Sequence, residues 1–187
     1  EPGIFINLGG AYLALDRPEE AILTLEPLLR DEVRETPGQL PTYALAQAII
    51  GHAYRAIDEP DGALAHLRIA FEHEPDSLTR ALLQESIADL LLDHRQPSEA
   101  VESLHIALPL VDRKEYPDVA ARLLTRLAST LGSLNRYAEA IHVYEEALTV
   151  LREVPGTSPA PTADVLRALS QTHEAQGQRP EAAQAYR

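Results

Sequence analysis

Small residues recur in pairs down this chain, and the two members of each pair are always twelve positions apart. The pairs are Gly9/Ala21, Gly51/Ala63, Ala88/Ala100, Ala128/Ala140 and Ser170/Ala182. Each second member follows a short polar turn, and four of the five turns contain proline: DRPEEA, DEPDGA, RQPSEA and QRPEAA, against NRYAEA in the fourth unit. The alanines are spaced by 42, 37, 40 and 42 residues. A period between about twenty and fifty residues marks a repeat array, in which each unit packs on its neighbours and the stack presents one long surface for binding.

An apolar segment of helical period precedes each turn and another follows it. In the first unit Phe5, Leu8, Tyr12 and Leu15 fall on one helical face before the turn, and Ala21, Leu25 and Leu28 on one face after it. Two helices joined by so short a turn lie side by side and antiparallel. Where they approach most closely only small side chains fit, so Gly9 and Ala21 are expected at the crossing, with large aliphatics filling the groove around them.

The pattern resembles the tetratricopeptide repeat family. The residues that carry the resemblance are Phe5, Leu8, Gly9, Tyr12, Ala21, Leu25 and Leu28 in the first unit, and Gln47, Ile50, Gly51, Tyr54, Ala63, Leu67, Ala70 and Pro75 in the second. Gln84, Ile87, Ala88, Leu91, Ala100, Leu104 and Ala107 follow in the third, then Leu124, Leu127, Ala128, Leu131, Ala140, Tyr144 and Ala147 in the fourth. The fifth has Leu166, Leu169, Ser170, His173, Ala182 and Tyr186, with His173 where the family has Tyr. The period exceeds the family's usual thirty-four residues, as in the arrays of bacterial transcription regulators and signalling ATPases and in kinesin light chains. The resemblance implies an all-α fold, a right-handed superhelical array of antiparallel helix pairs. About five repeats span residues 1–187 as one array, near 2–35, 41–75, 78–112, 118–152 and 163–187, the last incomplete.

The joints differ. ETPGQLP after Arg34 is long, EPDS after His73 is tight, and DRKEYPD after Val111 sets Pro117 near a helix start, a favoured place for proline. EVPGTSPAPT after Arg152 is the most flexible in composition, and the fifth unit is nonetheless kept in the array because it holds the repeat phase. The first helix is apolar nearly all round, with Ile4, Phe5, Ile6, Leu8, Ala11, Tyr12, Leu13 and Leu15. A helix of that kind is built to be covered. Together with the absence of methionine and an ending inside the fifth unit, this reads as part of a longer polypeptide whose array continues.

Nothing here resembles catalytic machinery. There is no nucleophile elbow, phosphate loop or paired-histidine zinc motif, and no cysteine. His66 and His73 are seven apart on one helix, about 10.5 Å by rise, too far to share a small ion, and both are expected on the solvated face. The adjacent pairs Glu19–Glu20 and Glu145–Glu146 diverge by about 100° and form no facing acid and base. The reading is a non-enzyme without cofactor or metal. A net charge of −13 argues against nucleic acid and anionic lipid as partners. No apolar run is long enough to span a bilayer, no secretory signal is present, and a cytoplasmic location is expected.

The resemblance also implies that the first helix of each unit faces the concave groove. The positions this assigns include Ile6, Asn7 and Gly10; Leu45, Ala48, Ile49, His52 and Arg55; Leu82, Glu85, Ser86 and Asp89; Arg122, Thr125, Arg126 and Ser129; and Asp164, Arg167 and Gln171. Asn7, His52, Arg55, Glu85, Asp89, Arg122, Arg126, Arg167 and Gln171 are the candidate partner contacts. The carboxylate clamp of chaperone-binding members is missing, since Ile6 and Gly10 stand at its Lys and Asn positions in the first unit. Arg122 and Arg126 lie one turn apart with Arg167 expected beside them, a cluster suited to an acidic or carboxylate-bearing protein or peptide. The alternative for these arginines is internal pairing with Glu85 or Asp89. For the whole chain the expected role is protein or peptide binding within a bacterial multidomain regulator. The alternatives are a sensor for a small peptide or metabolite, and an architectural module that self-associates through its first helix.

Overall fold

The computed structural model describes residues 2–30, 33, 35–36, 38–153 and 159–177, and among these nine α-helices and no strand occur. Its chain divides into two compact units, Glu1–His94 and Arg95–Arg187. The first holds α1 (Pro2–Ala14), α2 (Pro18–Leu25), α3 (Leu40–Ala56), α4 (Pro60–His73) and α5 (Ser77–Asp93). The second holds α6 (Pro97–Ala107), α7 (Pro117–Ser133), α8 (Tyr137–Glu153) and α9 (Pro159–Ala175). Within the first unit α1 packs on α2 and α3, α2 on α3, α3 on α4, and α4 on α5. Within the second, α6 packs on α7, α7 on α8, and α8 on α9, which also touches α7. The architecture is an α-solenoid of antiparallel helix pairs.

The turns of α1/α2, α3/α4 and α7/α8, and the turn between α5 and α6, share one backbone device. Asp16, Asp58, Arg95 and Asn135 all adopt φ near +60°, and Gly177 after α9 has φ +87°. Each stands five residues before the repeat alanine, so the left-handed residue has the same period as the alanines. At Asp16 its own N–H donates to the Leu13 carbonyl at 3.1 Å, and the next N–H, of Arg17, reaches back to Tyr12 at 2.9 Å. Asn135 and Arg136 do the same to Gly132 and Leu131, both at 3.0 Å. This double bond ends a helix and reverses the chain. Proline at the start of α2, α4 and α6 then fixes the next helix, because its missing N–H would have been unpaired there anyway. Pro117 opens α7 in the same way, after an Asp112 carboxylate that accepts from the Lys114 and Glu115 N–H groups. At α5 the cap is Asp76, whose carboxylate accepts from the Thr79 N–H at 2.7 Å.

The crossing residues are buried. Ala21, Ala63, Ala88, Ala100, Ala128 and Ala140 have no exposed surface, and Ser170 has almost none; Ala182 lies outside the described residues. A methyl group built on Gly9 would sit 2.6 Å from Leu25 Cγ, and one on Gly51 only 2.8 Å from Leu67 Cγ and 3.2 Å from the Ala63 carbonyl oxygen. The two helices therefore meet at backbone distance, and Leu25 and Leu67 fill what the glycines leave.

Two elements differ from the sequence expectation. Pro27 and Pro109 end the α-helical hydrogen bonding of α2 and α6, and the chain continues as 3₁₀ turns at Glu26–Leu29 and Leu108–Leu110. On α1 the inward line is Ile6, Gly9 and the half-buried Tyr12 and Leu13, not Phe5, Leu8 and Leu15. Gly9 must face Leu25, and this fixes the rotation of the helix. Ile6 therefore packs with Ile49 against the cluster of Leu25, Leu28, Ala46 and Ile50, both partly buried. Ile4, Phe5, Leu8 and Leu15 stay 62%, 39%, 43% and 68% exposed. The equivalents of Leu8 on later helices, Ile50 and Leu127, are covered, each on a helix that packs against the second helix of the preceding pair.

Arg95 is the one long side chain among the left-handed turn residues. That backbone costs a residue with a Cβ about 1–2 kcal/mol, and the extra freedom glycine brings to the unfolded chain returns about 0.4–1 kcal/mol of it. Arg95→Gly should therefore stabilise the protein by about 0.5–1 kcal/mol. The urea midpoint should rise at an unchanged slope; an unchanged or lower midpoint would mean that the Arg95 side chain compensates the turn.

Candidate functional site

The residues singled out from sequence divide between the two units. In the first, Asn7 is exposed on α1. His52 and Arg55 follow each other around α3, and Arg55 crosses to α5, where its guanidinium donates to the Asp93 carboxylate at 2.6 Å. His52 is half-buried; lost hydration, then the nearby Arg55 cation, pull its pKa below the ordinary histidine value. Glu85 is buried and Asp89 half-buried on α5. The Arg55–Asp93 pair ties α3 to α5.

His66 and His73 are not on a solvated face. His66 lies flat on the Tyr54 ring with centroids 5.2 Å apart, and its Nδ1 is 2.5 Å from Gln47 Oε1. Gln47 is only 3% exposed, so a neutral imidazole donating from Nδ1 supplies what its buried carbonyl oxygen requires. Burial lowers the pKa of His66. His73 meets Tyr43 edge to face at 5.4 Å. Alternation of polar residues along α4 concealed both contacts, because an imidazole reads as polar while its ring packs as an aromatic.

The second unit carries a candidate site. A cavity of about 550 Å³ opens beside α7 and is lined by Asp118, Ala121, Arg122, Thr125, Arg126, Ser129, Leu151, Asp164 and Val165. Its floor is apolar, from Ala121, the end of α8 at Leu151 and the start of α9 at Val165. Its rim is charged. Asp118, Arg122 and Arg126 stand at successive steps of four along α7, one above the next. Thr125 donates its hydroxyl proton to the Ala121 carbonyl at 2.7 Å and Ser129 to that of Arg126 at 2.9 Å. Both hydroxyls thereby turn lone pairs outward, and act toward a ligand as acceptors. Arg122 is exposed and Arg126 half-buried.

Arg167 does not complete a triple cluster in this cavity. It pairs with Asp164 one turn before it on α9, 3.2 Å away, and both side chains are well exposed. Gln171 is exposed one turn further on. The positions assigned to the groove thus include five of the lining residues: Arg122, Thr125, Arg126, Ser129 and Asp164. Asp118, Ala121, Leu151 and Val165 were missed. Asp118 was legible, since it lies four residues before Arg122 on the same stripe; Leu151 was not, because it belongs to a second helix. Among the described residues no group of three or more His, Asp or Glu is placed to hold a metal ion, and no helix is long and apolar enough to cross a membrane.

Comparison with known proteins agrees with this architecture. Residues 119–187 match the model of the tetratricopeptide repeat family, which supports that family for the stretch containing the cavity. Among curated proteins none matches the chain in sequence. The fold is shared with solved structures. One is a Podosopora anserina protein of nearly identical TPR-like repeats, with TM-score 0.73, 20% identity, and coverage of 100% of this chain and 93% of that one. A second is BtubC (BKLC) from P. vanneervenii, with TM-score 0.78, 18% identity, and coverage of 95% and 74%. A third is MamA from Desulfovibrio magneticus RS-1, with TM-score 0.71, 14% identity, and coverage of 99% and 90%.

The two lowered histidines set an acid sensitivity. His52 and His66 are neutral in the folded protein at a pH where the unfolded chain, titrating near 6.5, already binds protons. Their stabilising effect is complete above that value and is lost as pH falls through the lower folded pKa. Thermal midpoints between pH 7.5 and pH 5 should show the fall. His66→Phe should cost about 1–3 kcal/mol at pH 7.5, because buried Gln47 loses its donor, yet should give a shallower pH dependence. An equally steep curve would place the sensitivity elsewhere.

Proposed function

We infer, from the tetratricopeptide match of residues 119–187 and the cavity those residues line, that this protein is a non-catalytic interaction module. It takes a protein or peptide segment in the groove of one continuous repeat array spanning residues 1–187. The supporting observation is the cavity beside α7, where an apolar floor lies under two guanidiniums one helical turn apart. An apolar side chain seats on Ala121, Leu151 and Val165, and carboxylates meet Arg122 and Arg126 by charge-assisted hydrogen bonds. TPR-like repeats generally serve as protein-binding scaffolds. The array length and period favour a part within a cytoplasmic bacterial regulatory or signalling protein.

A screen of displayed peptides against the wild-type protein, followed by titration of the selected carboxylate-bearing peptides, tests this. Arg126→Glu should weaken them by about tenfold or more, and the loss should shrink as salt is raised. Thermal unfolding checks that the variant is folded. Selected peptides that bind the folded variant with undiminished affinity would remove the arginines from the site.

A second reading has its own observation. The exposed side chains Ile4, Phe5, Leu8 and Leu15 form an apolar face on α1, of the kind that drives self-association. Light scattering at tens of micromolar should then show a dimer that Ile4→Ser with Leu8→Ser returns to monomer. A wild-type monomer throughout that range would dispose of this reading.

A further inference from the structure

On α1 the residues Ile4, Leu8 and Ala11 follow at steps of four and three, so they share one helical face, and all three are exposed. The equivalent stripe recurs on every later first helix. On α3 it is Ala46, Ile50 and Ala53, and on α5, α7 and α9 it begins at Leu83, Leu123 and Val165. No member of these four stripes is more than 9% exposed. Each of those helices packs against the second helix of the preceding pair: α3 against α2, α5 against α4, α7 against α6 and α9 against α8. Where α2 meets α3 the contact is the cluster of Leu25, Leu28, Ala46 and Ile50.

We propose that the exposed stripe of α1 docks an amphipathic helix of another protein, whose apolar face reads Val, Ile or Leu, then Leu or Tyr three residues on, then Ala three residues beyond. The proposal goes beyond the self-association reading of this face by assigning it a different occupant, and it is independent of the cavity beside α7.

The repeat itself specifies that helix. Consecutive helices run antiparallel, so a late residue of the covering helix comes to an early residue of the covered one. At α3 the early residue is the small Ala46, and the covering one is the large Leu28. At α5, α7 and α9 the early residue is large, and the equivalent of Leu28 is Ala70, Ala107 and Ala147. All of these side chains are buried. Large is set against small each time, because two large side chains overpack a close crossing and two small ones leave a void. The stripe of α1 begins with Ile4, which places it with α5, α7 and α9 and calls for alanine on the covering helix. In α4, α6 and α8 that alanine follows Leu64 and Leu67, Val101 and Leu104, and Ile141 and Tyr144 at the same spacing, which gives the stated pattern.

Two observations favour another protein over a second copy. Among the described residues α2, α4, α6 and α8 each already cover a first helix, so a second copy has no helix of this kind to offer. Two chains of net charge −13 also repel each other, and α1 carries no charged residue from Pro2 to Ala14 that could offset this across a shared face. A helix of another protein meets neither obstacle and is recognised there by shape.

The probe is a fluorescein-labelled peptide with the sequence of residues 97–107, the helix that covers α7. A helix of that length is marginal alone, so a staple joins the outward positions 98 and 102. Light scattering first reads the state of the protein by itself, which should be monomeric. Fluorescence anisotropy then compares the probe with its Ala107→Leu form. Wild-type protein should bind the alanine form at least fivefold more tightly. With Ile4→Ala, which makes the stripe begin as on α3, the order should reverse. Leu8→Asp should abolish binding of both forms, with an unchanged far-ultraviolet circular dichroism spectrum showing that the variant is folded. A probe that does not bind, binding indifferent to Leu8→Asp, or equal affinity for the two forms overturns the proposal and leaves the cavity reading standing. A dimer that Leu8→Asp dissociates also overturns it, since the occupant is then a second copy.

Discussion

The approach of two backbones at the helix crossing is the constraint on which the other features of this protein rest. At Gly9 and Gly51 there is no room for a Cβ, because Leu25 and Leu67 already occupy it. Contact at that distance fixes how each helix is rotated about its axis, and the rotation decides which side chains are covered. On α1 it sends Ile6 inward and leaves Leu8 and Leu15 outside. On α7 the corresponding crossing residue is Ala128, fully buried. Its burial sets Leu124, Leu127 and Leu131 inward and leaves Asp118, Arg122 and Arg126 together on the side that lines the cavity. The charged stripe beside the cavity is in this sense a by-product of the packing: three charged residues share it because the small residue between the leucines faces the other way.

The left-handed turn residue is the second half of that device. It has to reverse the chain within three residues, so that Ala21, Ala63 and Ala140 arrive opposite Gly9, Gly51 and Ala128. Asp and Asn tolerate the conformation better than most residues with a Cβ, and they occupy three of the five positions, glycine a fourth. A single αL residue with two back-bonded N–H groups gives the same geometry in units of otherwise different sequence. The period of the chain is thereby kept while the joints between pairs vary in length.

Much of the fold was legible because it rests on residue size and period, which a sequence displays directly. The helix pairs, the burial of Ala63, Ala100 and Ala140, and Pro117 at a helix start needed no more than spacing. The left-handed turn was equally periodic and was passed over, because Asp16, Asp58, Arg95 and Asn135 share a conformation without sharing a side chain. The face of α1 was misjudged for another reason. A helix apolar nearly all round gives no direction by hydrophobicity, and only the steric demand at Gly9 orients it. Of the residues that line the cavity, Arg122, Thr125, Arg126, Ser129 and Asp164 were reached through the repeat register. Arg167 was placed on the right helix, but its side chain turns to Asp164, a choice between partners that spacing cannot decide. His66 was lost because its two contacts, Gln47 and Tyr54, lie on the preceding helix.

The arginines of the cavity sit in a strongly acidic protein, and the two facts act over different ranges. At physiological ionic strength an exposed charge is felt over about 8 Å, while the stripe on α7 is about twice as long. A partner's charge at one step therefore reads its own step and the next, and little beyond. For the proposed groove, the bulk charge of −13 would slow acidic partners as a class at encounter, while only groups within about 8 Å of the cavity would act on a bound segment.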